Sequence, residues 1–197
     1  LVFLSGAVWA QDPQAEYKTK LQDLNRNVSA AHDKLGDYLG GQKMHQWARD
    51  EFKKAVALDP DNESARKALG YKKTDQGWEN DPDAKQEFAN KKVGAEADKV
   101  RIEYEKRLVK LGKDYAGKFV DLAQWCAKAG MAAESTENYK RAVEYDPENE
   151  KARKALGYEK QKGAGGWMSP FEKELRKEMK EGLAKAPKGS PSGERTE

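Results

Sequence analysis

Residues 52–71 read FKKAVALDPDNESARKALGY and residues 139–158 read YKRAVEYDPENEKARKALGY, with fourteen of the twenty positions identical. Agreement at that level over a fixed offset of 87 is internal repetition, which constrains architecture more strongly than any other feature of the chain. Upstream the register continues as pattern: Tyr17, Leu21, Leu24, Val28 and Leu35 fall opposite Tyr104, Leu108, Leu111, Tyr115 and Leu122. Downstream, Gly77-Trp78 recurs as Gly166-Trp167, shifted by two residues. The chain therefore reads as two tandem units of about 87 residues.

Within each unit the local signals are clear. Apolar positions 17, 21, 24, 28, 35 and 39 step by three, four or seven and predict an amphipathic helix. A second helix is predicted over about 46–58 and about 132–145. Each is stopped by Asp-Pro (Asp59-Pro60, Asp146-Pro147), because proline lacks an N–H and biases the preceding residue away from helix. Asn62 and Asn149 then cap a third helix of about eight residues, ending at Gly70 or Gly157, where a left-handed residue costs glycine little. So short a helix must be held by packing.

Residues 71–78 and 158–167 read as small β-hairpins carrying Tyr71 and Trp78, then Tyr158 and Trp167, with the length difference absorbed at a Gly-rich tip. Trp78 and Trp167 are read as anchors pinning the hairpins to the helices, with ligand stacking as the alternative. Ser169-Pro170-Phe171-Glu172 is a capping box, and Asp81-Pro82 plays the same part in the first unit. From there apolar positions at 93, 97, 100, 104, 108, 111, 115, 119, 122 and 126 predict a nearly straight helix over 82–127. Unbroken, it would extend about 70 Å, with Gly94, Gly112 and Gly117 as the places to bend or break.

The fold class is mainly α: two tandem α–α units joined by a long helix, with a small β-hairpin in each. The expected organisation is an apolar segment at 1–10, unit one at 14–80, a linker helix at 81–115, unit two with its hairpin and C-terminal helix at 116–184, and a disordered tail at 185–197.

The helix pair resembles the tetratricopeptide repeat (TPR). In the first unit the motif runs from Ser29 and places Leu35-Gly36, Leu39, Ala48, Phe52, Ala55 and Pro60 at its key positions. In the second it runs from Ala116, with Leu122-Ala123, Cys126, Gly130, Ser135, Tyr139, Ala142 and Pro147. Small side chains at 36, 48 and 55 let two helices approach, Phe52 fills the seam and the proline ends the second helix. Lys43 stands where the motif has glycine before the inter-helix turn. The match covers about 34 residues per unit. The added hairpin and linker helix depart from plain TPR arrays and are similar to a pattern in uncharacterised bacterial envelope proteins. The resemblance implies protein–protein interaction. Some TPR proteins clamp a C-terminal carboxylate with Lys and Asn on the inner helices. Here the matching positions hold Asp33, Lys34 and Asp37, then Val120, Asp121 and Gln124, so that function is not carried over.

Chemistry is sparse. His32 and His45 are the two histidines, without a nearby cysteine or a carboxylate partner evident in sequence, and His32 is read as a structural residue. Cys126, the single cysteine, is read as a buried apolar residue, so neither a disulfide nor a thiolate metal site is expected. No nucleophile, phosphate-loop or dinucleotide motif is present, and DPDNE and DPENE lack the ligand spacing of a calcium loop. No enzymatic activity and no cofactor are expected. Thirty-seven basic and 34 acidic residues are interspersed, which argues against nucleic-acid binding. Asn27-Val-Ser and Asn62-Glu-Ser are glycosylation sequons.

Residues 1–10, LVFLSGAVWA, form the one strongly apolar run, too short to span a bilayer. They end in Val8-Trp9-Ala10, a signal-peptidase pattern, so they read as the tail of a secretory signal, with a retained apolar arm as the alternative. The expectation is a secreted or envelope scaffold that associates with copies of itself head to tail. The alternative is a monomeric envelope adapter that binds a peptide or a larger complex on its concave face.

Overall fold

The computed structural model describes residues 12–163 and 166–185; the leader-like segment 1–10 and residues 186–197 of the polar tail lie outside the described residues. Contacts divide the chain into two compact units, one ending at Asn149 and the other beginning at Glu150.

In the first unit, α1 (Pro13–Gly41) begins with proline in its first turn, and the Asp12 side chain accepts the Gln14 N–H at 3.0 Å. Both features answer the orphan donors of a helix start. Its buried face includes Tyr17, Leu24, Val28, His32, Leu35 and Leu39, the predicted stripe with His32 added and Leu21 only half-buried. α2 (His45–Leu58) returns along it. Gly36 lies so close to Phe52 that a Cβ would overlap the ring, and Ala48 and Ala55 are buried, so small residues set the approach of the two helices.

α3 (Glu63–Ala68) has six residues, shorter than expected, and the Asn62 side chain accepts the Ala65 N–H at 3.0 Å. Gly70 follows at φ +86°. Strand β1 (Tyr71–Thr74) pairs antiparallel with β2 (Gly77–Asn80), Tyr71 opposite Asn80 and Lys73 opposite Trp78. Arg66, inside the heptapeptide ARKALGY that residues 65–71 and 152–158 share, places its guanidinium 5.3 Å from the Tyr71 ring and 5.8 Å from the Trp78 ring, and donates from Nε to Pro60 O at 2.9 Å. The hairpin aromatics are thus anchored by an arginine of α3.

The long helix is shorter at its start than the sequence suggests. α4 runs Gly94–Lys128, and residues 81–93 are not helical despite Asp81-Pro82. Tertiary polar contacts account for this. The Gln86 amide donates to Leu69 O at 2.7 Å and accepts from Arg49, Asn90 Oδ1 accepts the Gln46 N–H at 3.1 Å, and Lys91 N donates to Lys43 O at 2.9 Å. The segment supplies the α2 N-terminus with a cap that its own N-cap residue, Met44, cannot provide. Gly112 and Gly117 do not break α4; Gly112 is where the helix meets the Tyr145 carbonyl too closely for a Cβ.

α5 (Ala132–Tyr145) completes the unit. The α4–α5 turn closes through Gly130 at φ +76°, with Met131 N donating to Cys126 O. The α1–α2 turn uses the same bonds, Met44 N to Leu39 O and Lys43 N to Gly40 O, with Lys43 at φ +61°.

The two helix pairs interlock reciprocally. Tyr104 Oη donates to Glu51 Oε1 at 2.7 Å, and Asn138 Nδ2 donates to Tyr17 Oη at 3.2 Å. Tyr17 and Tyr104 are repeat equivalents, and so are Glu51 and Asn138. Arg107 stacks on Tyr38 at 4.1 Å and Lys20 lies over Trp125 at 5.3 Å, again with both members equivalent. Partners on α1 rise in number as those on α4 fall, so the long helices run antiparallel about a pseudo-two-fold relation. A core of Leu39, Met44, Phe52, Leu69 and Val100 joins α1, α2 and the α3 end to the first half of α4.

The second unit holds α6 (Glu150–Ala155), strands β3 (Glu159–Lys160) and β4 (Trp167–Met168), and α7 (Pro170–Lys185). Arg153 repeats the part of Arg66, 5.0 Å from Tyr158 and 5.7 Å from Trp167, and Gly157 has φ +83°. Ser169 and Glu172 form the expected capping box, Ser169 N to Glu172 Oε2 at 2.7 Å and Glu172 N to Ser169 Oγ at 3.1 Å. The protein is mainly helical, with one small hairpin in each unit.

Candidate functional site

The sequence-marked positions fall into structural joints. Leu35, Gly36, Ala48, Phe52 and Ala55 make the α1–α2 seam; Leu122, Cys126 and Ala142 are buried between α4 and α5, with Tyr139 half-buried. Pro60 and Pro147 lie in the turns after α2 and α5. Gly70, Tyr71 and Trp78, like Gly157, Tyr158 and Trp167, belong to the arginine-anchored hairpins. Burial pushes the Cys126 thiol up, as a buried apolar role requires. Asn27 is exposed on α1, whereas the Asn62 amide donates to Ser29 Oγ at 2.8 Å and is engaged in the helix cap.

Both histidines do have carboxylate partners, contrary to the sequence reading: His32 Nδ1 lies 2.6 Å from Glu51 Oε2, and His45 Nε2 lies 2.8 Å from Glu87 Oε2. These partners were invisible because they sit on other segments brought in by folding. Glu51 also accepts from Lys54 at 2.6 Å and from Tyr104. Burial alone would raise its pKa, but the bonds from His32, Lys54 and Tyr104 outweigh that and hold it at about 2. Burial and the bond to Glu51 raise the Tyr104 hydroxyl in turn. An ionised carboxylate only accepts, so the shared proton sits on His32 Nδ1. The Glu51 side chain is 1% exposed, and neither it nor His32 lines a cleft described below. This cluster holds α2 to α1 and α4, with Glu51 and His32 buried at its centre.

Two related concavities open between the long helices. One cleft, of about 700 Å³, has a floor of Ala31, Leu35, Leu111 and Tyr115, and is rimmed by Lys34, Lys106, Arg107 and Lys110 with Glu103 and Asp114. Arg107 is bound to Glu103 at 2.9 Å, while Lys34, Lys106 and Lys110 enter no ion pair among the described residues. The pseudo-two-fold relation produces a second cleft of about 450 Å³, with Leu24, Leu122 and Trp125 below and Lys20, Asp23, Lys118 and Asp121 around it. The floors are alike and the rims are not. Four cations against two carboxylates leave the first cleft at +2, and two against two leave the second neutral. Two charge reversals produce this difference, Lys34 and Lys110 standing where the other copy has Asp121 and Asp23, and Glu103, Asp114 and the second cleft's Lys118 offset part of their effect. Comparing the two repeats charge by charge would have pointed to it, but its cations are scattered over 76 positions on two helices.

On α4, Ile102 and Val109 are 62% and 58% exposed, and their spacing makes them neighbours of Lys106. In the second unit every described side chain of α7 over 171–182 is exposed, including Phe171 (76%), Leu175 (44%) and Met179 (59%). Among the described residues no helix is long and apolar enough to cross a membrane, and no three His, Cys, Asp or Glu side chains are grouped to hold a metal ion. No family model and no curated protein sequence matches this chain.

Proposed function

We propose that this chain is a non-enzymatic scaffold, TPR-like in its helix pairs, that associates with copies of itself head to tail outside the cytoplasm. The observation that carries the reading is α7. It is an amphipathic helix whose row of apolar side chains is exposed among the described residues. A 16-residue helix is marginal alone in water, so such a face favours a partner. Within residues 12–149 the two helix pairs cover each other, and the clefts and α7 offer surfaces for association. A contact between unlike surfaces of identical chains leaves one of each open, and it either closes into a ring or continues as a fibre. The non-enzymatic part rests on Glu51, the most perturbed carboxylate, being sealed in a joint between helices. The location rests on Val8-Trp9-Ala10.

A second reading, a monomeric adapter, is favoured by the basic rim of the first cleft, which suits an acidic segment of another protein. Size-exclusion chromatography with light scattering separates the two. Self-association gives a mass that rises with loading above the 22.1 kDa of one chain, and a mass that stays at one chain throughout removes it in favour of the adapter.

A further inference from the structure

We infer that the surface joining the copies is α7 of one chain seated in the Lys34–Lys106–Lys110 cleft of another, a proposal that rests on the self-association reading above. Three features match. The first is polarity: Phe171, Leu175 and Met179 form one row at four-residue spacing, and the cleft floor of Leu35, Leu111 and Tyr115 is apolar.

The second is charge. Glu174 and Glu178 lie three and seven residues beyond Phe171, along one edge of the row. Glu172 lies three and seven residues before Leu175 and Met179, along the other edge. Lys173, Lys177 and Lys180 fall on the opposite side of the helix. The apolar row is thus flanked by Glu174 and Glu178 on one edge and by Glu172 with Arg176 on the other, three carboxylates to one cation, and the cleft that would receive it is rimmed by lysines that enter no ion pair among the described residues.

The third is length. Phe171 to Met179 spans about 12 Å of helix and Lys106 to Tyr115 about 13 Å at 1.5 Å per residue. The related cleft, with the same leucine floor, is smaller and neutral, so charge directs α7 to one of the two. A nucleic-acid backbone fits less well, because Glu103 and Asp114 interrupt the cations and the floor offers apolar surface.

The test is a charge exchange in the full chain. One variant carries Lys106→Glu with Lys110→Glu; the other carries Glu174→Lys with Glu178→Lys. All four positions are exposed. Circular dichroism confirms that each variant is folded, and Lys106→Ala with Lys110→Ala serves as a milder cleft variant. Each variant alone is expected to associate at least tenfold more weakly than the parent, and an equimolar mixture of the two reversed variants to recover association. Asp121→Asn, at an exposed position of the neutral cleft, is expected to change nothing. Association that persists unchanged in both reversed variants overturns the docking mode while leaving self-association standing. Loss in each variant without recovery in the mixture also overturns it. A parent chain that is monomeric at every concentration removes both readings.

Discussion

Lys43 holds φ at +61° in a turn whose counterpart in the second repeat is Gly130 at +76°. The hydrogen bonds closing the two turns are the same, so the lysine bears a left-handed conformation that a Cβ disfavours by about 1–2 kcal/mol. Its side chain is exposed and makes no hydrogen bond or ion pair among the described residues. Lys43→Gly is expected to stabilise the protein by about 0.5–1 kcal/mol, since glycine's greater unfolded-state freedom offsets part of the relief. A urea midpoint unchanged or lowered would show the turn unstrained. Glu51 is the other residue whose effect stands alone. Its folded pKa, about 2, lies below the ordinary 4.5, so its stabilisation is complete above pH 4.5 and is lost as pH falls towards 2. Glu51→Gln should cost about 2 kcal/mol at pH 7, because Lys54, Tyr104 and His32 lose an ionic acceptor. Its stability should then vary less than the parent's between pH 4.5 and 2. Equal slopes for both proteins over that range would place the acid sensitivity elsewhere.

At the scale of elements, most of what the sequence offered was local and was legible. Proline stops, asparagine caps and left-handed glycines set the ends of α2 and α3, and Arg66 explains why the heptapeptide is written twice: it holds Tyr71 and Trp78 to α3, as Arg153 holds Tyr158 and Trp167 to α6. What was not legible depends on distant partners. Asp81-Pro82 is a plausible helix start, yet Gln86 and Asn90 are drawn off to cap Leu69 and Gln46, and α4 waits until Gly94. His32 found its carboxylate 19 residues away on another helix. The rim of the basic cleft was hidden for the same reason, since Lys34 and Lys110 become neighbours only when α1 and α4 lie antiparallel. Gly70 ties the local and distant parts together. It has φ +86°, and a Cβ there would overlap the Gln86 amide. Gly70→Ala is therefore expected to cost about 2 kcal/mol and to speed proteolysis within residues 81–93. Cleavage at the parent rate would show that the Gln86 contact does not hold that segment.

For the whole molecule, the repeat accounts for more than duplication. Equivalent tyrosines reach across to Glu51 and Asn138, and equivalent cations stack on Tyr38 and Trp125, so the two copies complete one another within residues 12–149. On the surface the copies diverge in the Lys34/Asp121 and Lys110/Asp23 reversals that make one cleft basic. A basic cleft and an acid-edged helix on the same chain form a complementary pair, and charge-steered contacts weaken with salt. Sedimentation of the unmodified chain over a hundredfold range of concentration, at low and at high salt, is the most direct test. The expected result is a weight-average mass that climbs above one chain at low salt and falls back at high salt. A single species of one chain at every concentration and salt would contradict it.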